Sequence, residues 1–233
     1  MLQFNNLTIL GSSHIAKQSI NEVERAFEEI KPSIVCLELD ANRYMALMNK
    51  KKRASKFSIM INFGITAFVF AILGEFVQNK LGDIVGISPG AEMKTAIKLA
   101  KKNKSKIVFI DQPIEVTLKK LSEKMTLIER LRFIYDLSFG WIFSKEKVNF
   151  NLNEVPSEEI IQKLVHQLKH RYPVIYTVLI KERNVIMASN LLNLMNLYPN
   201  DSILAIMGAG HVADSFSIIK DKFSNISYSF SIS

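Results

Sequence analysis

The sequence predicts an α/β fold: a central, largely parallel sheet flanked by helices, with a strand–Gly-x-x-His–helix unit at each end of the chain. Three observations carry this. "IVCLEL" (34–39), "KIVFID" (106–111) and "SILAIM" (202–207) are nearly continuous apolar runs, the pattern of strands covered on both faces. Helical periodicity separates them, as parallel strands require. Finally, "TILGSSHIA" (8–16) and "ILAIMGAGHVA" (203–213) share one frame, an apolar run, a glycine, two small residues and a histidine.

In chain order, "LTIL" (7–10) reads as the first strand. After the GSSH turn, Ser19 and Glu22 form a capping-box pattern, and Val23, Ala26, Phe27 and Ile30 fall on one helical face. Pro32 stops that helix, and "IVCLEL" delivers Glu38 and Asp40 to the carboxyl end of its strand. Open α/β sheets place their sites at that edge. Pro89 and Gly90 precede a helix from Ala91 to Lys102, and "KIVFID" ends in another acid, Asp111. Residues 113–150 read as mostly helical, with "FIYDLSFGWIF" (133–143) as core or a partner surface.

Ser157 can cap a helix running to about His170, with Ile161, Leu164, Val165 and Leu168 as its apolar face. His166 and His170 have i, i+4 spacing but point away from that face and lack the H-E-x-x-H pattern, which makes them surface residues. After Pro173 a buried helix continues, with Val178, Leu179, Ile186 and Met187 around the consecutive polar residues Glu182, Arg183 and Asn184. Charges beside a buried face need partners. The last strand leads through GAGH into a helix near 213–219, and "ISYSFSIS" (226–233) reads as an edge strand.

The net charge is +8, with basic clusters at "NKKKRASK" (49–56) and "KLAKKNKSK" (98–106). These lack interleaved aromatics and match no nucleic-acid module, so they read as solvated surface and no nucleic-acid partner is expected. The single cysteine, Cys36, excludes an intrachain disulfide and a cysteine-rich zinc site. It reads as a buried thiol in a reducing, cytoplasmic setting. Residues 1–10 lack the pattern of a signal peptide. The stretch "FSIMINFGITAFVFAILG" (57–74) carries no charge, but Asn62, Gly64, Thr66 and Gly74 dilute it and Glu75 follows. A lone span there would put His14 and His211 on opposite sides of a bilayer, so a buried or interfacial helix is expected. Peripheral membrane contact through this segment and the basic clusters stays open, as does a homo-oligomer.

A glycine before each histidine permits a tight turn or close backbone approach. The imidazole then projects over the sheet's carboxyl edge, as a metal ligand or a general acid/base. His14 and His211 with Glu38 would supply two nitrogens and a carboxylate, a ligand set suited to hydrolytic metal sites. Two hydrogen-bonded loop histidines are the other reading of the same pattern.

Several motifs in the same order resemble the TraB/PrgY family, related to the Tiki metalloproteases and grouped with erythromycin-esterase and ChaN-like folds. They are "GSSHIAKQSINEV", "PSIVCLELDANRY", "LGDIVGISPGAEMKTAI", "IDQPIEVTLKKL", "IKERNVIMASNL" and "MGAGHV". The resemblance implies a single TraB-like domain over 1–233, with mostly helical insertions around 41–90 and 113–190. It implies a metal-dependent hydrolase, most nearly a peptidase, using Mn²⁺, Co²⁺ or Zn²⁺. The alternative is a non-catalytic peptide-sequestering protein of the pheromone-shutdown type. The metal ligands would be His14, Glu38 and His211, with Glu38 a ligand or the base. Arg183 would stabilise an oxyanion or hold a substrate carboxylate. Glu182 would orient Arg183 or share proton transfer, and Asn184 would donate to the tetrahedral intermediate. Arg43, Glu92 and Asp111 would bind substrate. Asp111-Gln112 stands where the family often has Asp-Arg, and Asn184 where many members carry Asp.

Overall fold

The computed structural model describes residues 1–12, 17–49, 61–62, 64, 90–136 and 158–230. Its centre is a five-stranded sheet in the order β1-β2-β5-β3-β4. The strands are β1 (Leu2–Phe4), β2 (Leu7–Ser12), β3 (Ile34–Leu37), β4 (Lys106–Phe109) and β5 (Ile203–Gly208). Among the described strands only β1 runs antiparallel, as a hairpin onto β2 through Asn5 and Asn6. Asn5 takes a φ of 51°, a left-handed conformation that asparagine tolerates in such turns. The other four strands are parallel, so all their carboxyl ends meet at one edge. β5 lies between β2 and β3, pairing Ile203 with both Leu7 and Ile34.

Alternation along the strands sorts side chains to the two faces. Ile203, Ala205 and Met207 of β5, with Cys36 and Ile9, pack against Met187, Ala188, Leu191 and Met195 of one helix and Ile219 of another. Leu204 and Ile206, with Val35 and Leu37, pack on the opposite face against Val23, Ala26, Phe27, Met93, Ala96 and Ile97. The near-continuous apolar strands thus have helices on both sides, and the sheet is the middle layer of three. The first-face helices are α8 (Glu182–Leu197) and α9 (Ala209–Phe230); the second-face helices are α1 (Lys17–Ile30) and α3 (Ala91–Lys102).

The remaining helices are α2 (Ala41–Asn49), α4 (Ile114–Lys124), α5 (Leu127–Tyr135), α6 (Glu158–Arg171) and α7 (Pro173–Tyr176). A π-helical turn, Thr177–Lys181, joins α7 to α8 without a break. Leu121, Met125, Ile175 and Val178 form a satellite core beneath it.

Several expectations are corrected. In place of the edge strand expected over "ISYSFSIS", α9 carries helix through Phe230, and among the described residues the edges of the sheet belong to β1 and β4. Strand propensity in Tyr and Phe is weak beside a helix already anchored on the core. α1 is helical from the first described residue, Lys17, so Ser19 lies within the helix and Glu22 accepts from Gln18 Nε2. On α6 the expected apolar face is only half-buried, and Leu164 is exposed. His166 and His170 are exposed, as expected of surface residues. The 57–74 segment, apart from Ile61, Asn62 and Gly64, and the aromatic stretch beyond Asp136 lie outside the described residues. Among the described residues no helix is long and apolar enough to cross a membrane.

Cys36 is fully buried on β3, and burial pushes its thiol up to about 12. Its thiolate is therefore scarce at neutral pH as well as shielded. A thiol reagent should leave the native protein unmodified and label it once denaturant unfolds the sheet, read by mass spectrometry. Native labelling at the unfolded-chain rate would contradict this packing.

Candidate functional site

Two carboxylates mark the carboxyl edge of adjacent strands. The Glu38 amide still donates to Ile206 O at 3.1 Å, and the Ile110 amide to Leu37 O at 3.0 Å, so backbone pairing carries both strand ends up to the site. Beyond β3, Asp40 Oδ1 accepts from the amides of Asn42 at 2.8 Å and Arg43 at 3.0 Å. Asp40 is thus an N-terminal cap that launches α2 and sets the start of the Arg43 side chain.

Arg183 arrives from α8 and lies between the acids. Its Nε and Nη2 donate to the two oxygens of Asp111 at 3.0 and 2.7 Å, a bidentate contact. Nη2 also donates to Glu38 Oε1, and Nη1 to the Leu179 carbonyl at 3.2 Å. Glu38 Oε2 accepts from the Gly208 amide at 2.5 Å. Arg43 Nη1 reaches Asp111 Oδ2 at 3.0 Å, and the Gln112 amide reaches Asp111 Oδ1 at 2.8 Å. The Glu38 and Asp111 side chains are only 3% and 2% exposed, and Arg183 14%. Burial by itself presses the Arg183 pKa down; the charges of Glu38 and Asp111 and their hydrogen bonds outweigh it and hold the pKa above its ordinary value.

His211 sits in the first turn of α9, directly after β5. Its Nδ1 lies 2.6 Å from Asn184 Oδ1, while Asn184 Nδ2 donates to Asp214 Oδ2 at 3.2 Å. Since the carboxylate can only accept, the amide orientation is settled, and Nδ1 must carry the proton. His211 Nε2 then faces Glu38 Oε1 at 3.5 Å and Arg183 Nη1 at 3.3 Å.

The structure thus joins Glu38, Asp111, Arg183, His211, Asn184 and Arg43. Glu182 faces elsewhere, accepting from Lys120 at 2.6 Å and Lys124 at 2.7 Å. Burial pushes its pKa up, but the two ammonium groups more than offset this and lower it. The carboxylate that orients Arg183 is Asp111. Asn184 Oδ1 accepts from His211 and one Nδ2 hydrogen goes to Asp214, so Asn184 orients His211. Glu92 is buried in the first turn of α3, where its charge suits the helix N-terminus. His14 lies outside the described residues, so the first Gly-x-x-His unit stays an expectation. Its glycine, Gly11, belongs to β2, and a Cβ there would come within 3.1 Å of Val212 Cγ2, so close packing of α9 is what that position requires.

Sequence reading missed Asp214 and the Leu179 carbonyl. Asp214 comes three residues after His211 and Leu179 precedes Arg183 by four, so helical spacing places both beside their partners.

Fold and site together define an α/β protein with an acid–guanidinium–imidazole cluster at the sheet's carboxyl edge. Residues 3–221 match the TraB/PrgY/gumN family, and the chain belongs to that family. It is 31% identical over 212 residues to an uncharacterized protein of Methanocaldococcus jannaschii, covering 89% of this chain and 51% of that protein. TraB domain-containing proteins of Bos taurus and Homo sapiens are 20% and 21% identical over 193 residues, covering 76% of this chain and 49% of each. The chain therefore spans about half the length of these relatives.

Removing Arg183 would leave two buried carboxylates without their shared counter-charge. Arg183→Ala should cost about 3–5 kcal/mol in denaturant unfolding. Arg183→Lys keeps the charge without the planar fork and should cost less. An Arg183→Ala variant with the parent's unfolding midpoint would show that the cluster is not formed as described.

Proposed function

We propose that this chain is a divalent-metal-dependent hydrolase acting on peptides. The observation that supports this most is the convergence of Glu38 Oε1 and His211 Nε2 at 3.5 Å, with Asn184 holding the far side of the ring. Arg183 supplies the positive charge between them, with Nη2 on Glu38 Oε1 and Nη1 3.3 Å from His211 Nε2, and a divalent ion would take that place. An imidazole whose other nitrogen donates to a fixed oxygen is the outer arrangement of a metal-ligating histidine. The donor types fit Mn²⁺, Co²⁺ or Zn²⁺. Glu38 and His211 would hold the ion, and His14 is the third donor expected from the sequence.

Such an ion would supply Lewis-acid polarisation of the scissile carbonyl. The chain's own residues do the rest. Glu38 would take the proton of an attacking water through Oε1, the oxygen that accepts from Arg183 Nη2 and faces His211, while Gly208 fixes Oε2. Arg183 is held by Asp111, and a donor of Nη1 or Nη2 released from His211 or Glu38 would stabilise a developing oxyanion. Asn184, backed by Asp214, keeps His211 in one tautomer.

The test begins with protein purified without chelator. Elemental analysis should find a bound divalent ion, and a peptide library should be cleaved with added Mn²⁺ or Co²⁺. Glu38→Gln should lower turnover by about 10²-fold or more. Metal content retained in that variant identifies Glu38 as the base; metal lost with turnover identifies it as a ligand. Because a glutamine amide would set an N–H against either Gly208 or Arg183, a melting curve must accompany the assay. A parent protein that binds peptides and returns them uncleaved, with or without metal, would replace the hydrolase with a sequestering protein.

A further inference from the structure

Arg43 is the outermost member of the charged cluster. Its side chain is 35% exposed, against 2% for the Asp111 carboxylate to which it donates through Nη1. Among the described residues its Nε and Nη2 have no hydrogen-bond partner, so one edge of a planar donor fork is turned away from Asp111. That fork is well placed, because its backbone is tied into the Asp40 cap and its tip into Asp111. The neighbouring α2 and α4 are clasped by Asn42 Nδ2 donating to Glu115 Oε1 at 2.9 Å.

Charge sets the kind of ligand. Glu38 and Asp111 face Arg183 and Arg43, and two further acids, Asp40 and Glu115, lie on the Arg43 side with one buried oxygen each that accepts no hydrogen bond among the described residues. The nearby cations Lys120 and Lys124 are engaged by Glu182. A dianion at Arg43 would leave uncompensated negative charge beside two buried carboxylates, whereas a monoanion such as a carboxylate can share the guanidinium with Asp111.

We propose that the outward edge of Arg43 binds the free terminal carboxylate of the substrate, so that the site takes peptides by their carboxyl end. This deepens the peptide reading above and rests on it. Spacing then sets the bond attacked. Arg43 Nη1 and Arg183 Nη2 donate to the same oxygen, Asp111 Oδ2, at 3.0 and 2.7 Å, so the two guanidiniums are close neighbours. Successive peptide Cα atoms are about 3.8 Å apart. A carboxylate on the outward edge lies across the Arg43 guanidinium from Arg183, so the bond brought to Arg183 and Glu38 is within a few residues of the carboxyl end.

A randomised hexapeptide pool, synthesised once as free acids and once as carboxyl-terminal amides, tests this by equilibrium retention on the full chain. The parent should retain the acids about tenfold or more better than the amides, the factor a charge-assisted contact supplies. Arg43→Gln should erase the discrimination, and Arg43→Lys should restore part of it. Cleavage by the parent, where it occurs, should release a short fragment of a few residues from the carboxyl end. Equal retention of acids and amides, discrimination unchanged in Arg43→Gln, or cleavage remote from the carboxyl end would overturn the proposal. Retention of acids without cleavage would uphold it while removing the hydrolase reading. Retention of neither pool would remove both.

Discussion

The site is organised by one guanidinium between two buried carboxylates. Parallel strands β3 and β4 end side by side, and each ends in an acid, Glu38 and Asp111. Two such charges, nearly excluded from water, repel one another and lack hydration. Arg183 answers both at once, with two hydrogen bonds to Asp111 and one to Glu38. Its planar fork matters as much as its charge, because a point charge could not satisfy two separated carboxylates in fixed directions. The carboxyl edge of the sheet and the helix on its far face are thereby tied at the place where function is expected.

That constraint explains the π-helical turn before α8. Thr177–Lys181 interrupts an otherwise continuous helix, and the Glu182 amide reaches back to Thr177 O. Such insertions shift the register of the helix beyond them, and they recur at functional sites. Here three consecutive residues are sent to three destinations: Glu182 to Lys120 and Lys124, Arg183 to the acids and Asn184 to His211. The Leu179 carbonyl, in the turn itself, accepts from Arg183 Nη1 and steadies the guanidinium from behind. The satellite core of Leu121, Met125, Ile175 and Val178 packs this turn against α4 and the start of α5.

Much of the fold was legible because its strands are buried on both faces. β3, β4 and β5 declared themselves as apolar runs, and the helix Ala91–Lys102 was read with the bounds it has. The face Val23, Ala26, Phe27 of α1 is buried as its period required. β1 escaped because three residues at an exposed edge carry almost no pattern. "ISYSFSIS" misled because alternation over a few residues does not reveal whether a helix already under way will continue. In the site, Glu38, Asp111, Arg183, Asn184 and His211 could be named from strand ends, a buried polar triplet and family likeness. Their partnerships could not. Glu182 is beside Arg183 in sequence and Asp111 is beside it in space, and only the turn of α8 decides which acid Arg183 meets.

The two carboxylates have unequal parts, and their hydrogen bonds show why. Asp111 accepts from Arg183 Nε, Arg183 Nη2, Arg43 Nη1 and the Gln112 amide, which fills the acceptor positions a carboxylate has. It is an anchor, and protonating or turning it would release two arginines together. Glu38 divides its oxygens: Oε2 takes the Gly208 amide at the start of α9, and Oε1 faces Arg183 and His211. The N-terminus of a helix is complementary to that charge. Glu38 is therefore held firmly at one oxygen and presented at the other. Asp111 retains Arg183 through two hydrogen bonds of its own, so the place of the guanidinium does not depend on Glu38 alone. One carboxylate has its acceptor positions filled and the other divides its oxygens between a helix N-terminus and the Arg183–His211 edge, with a single arginine common to both.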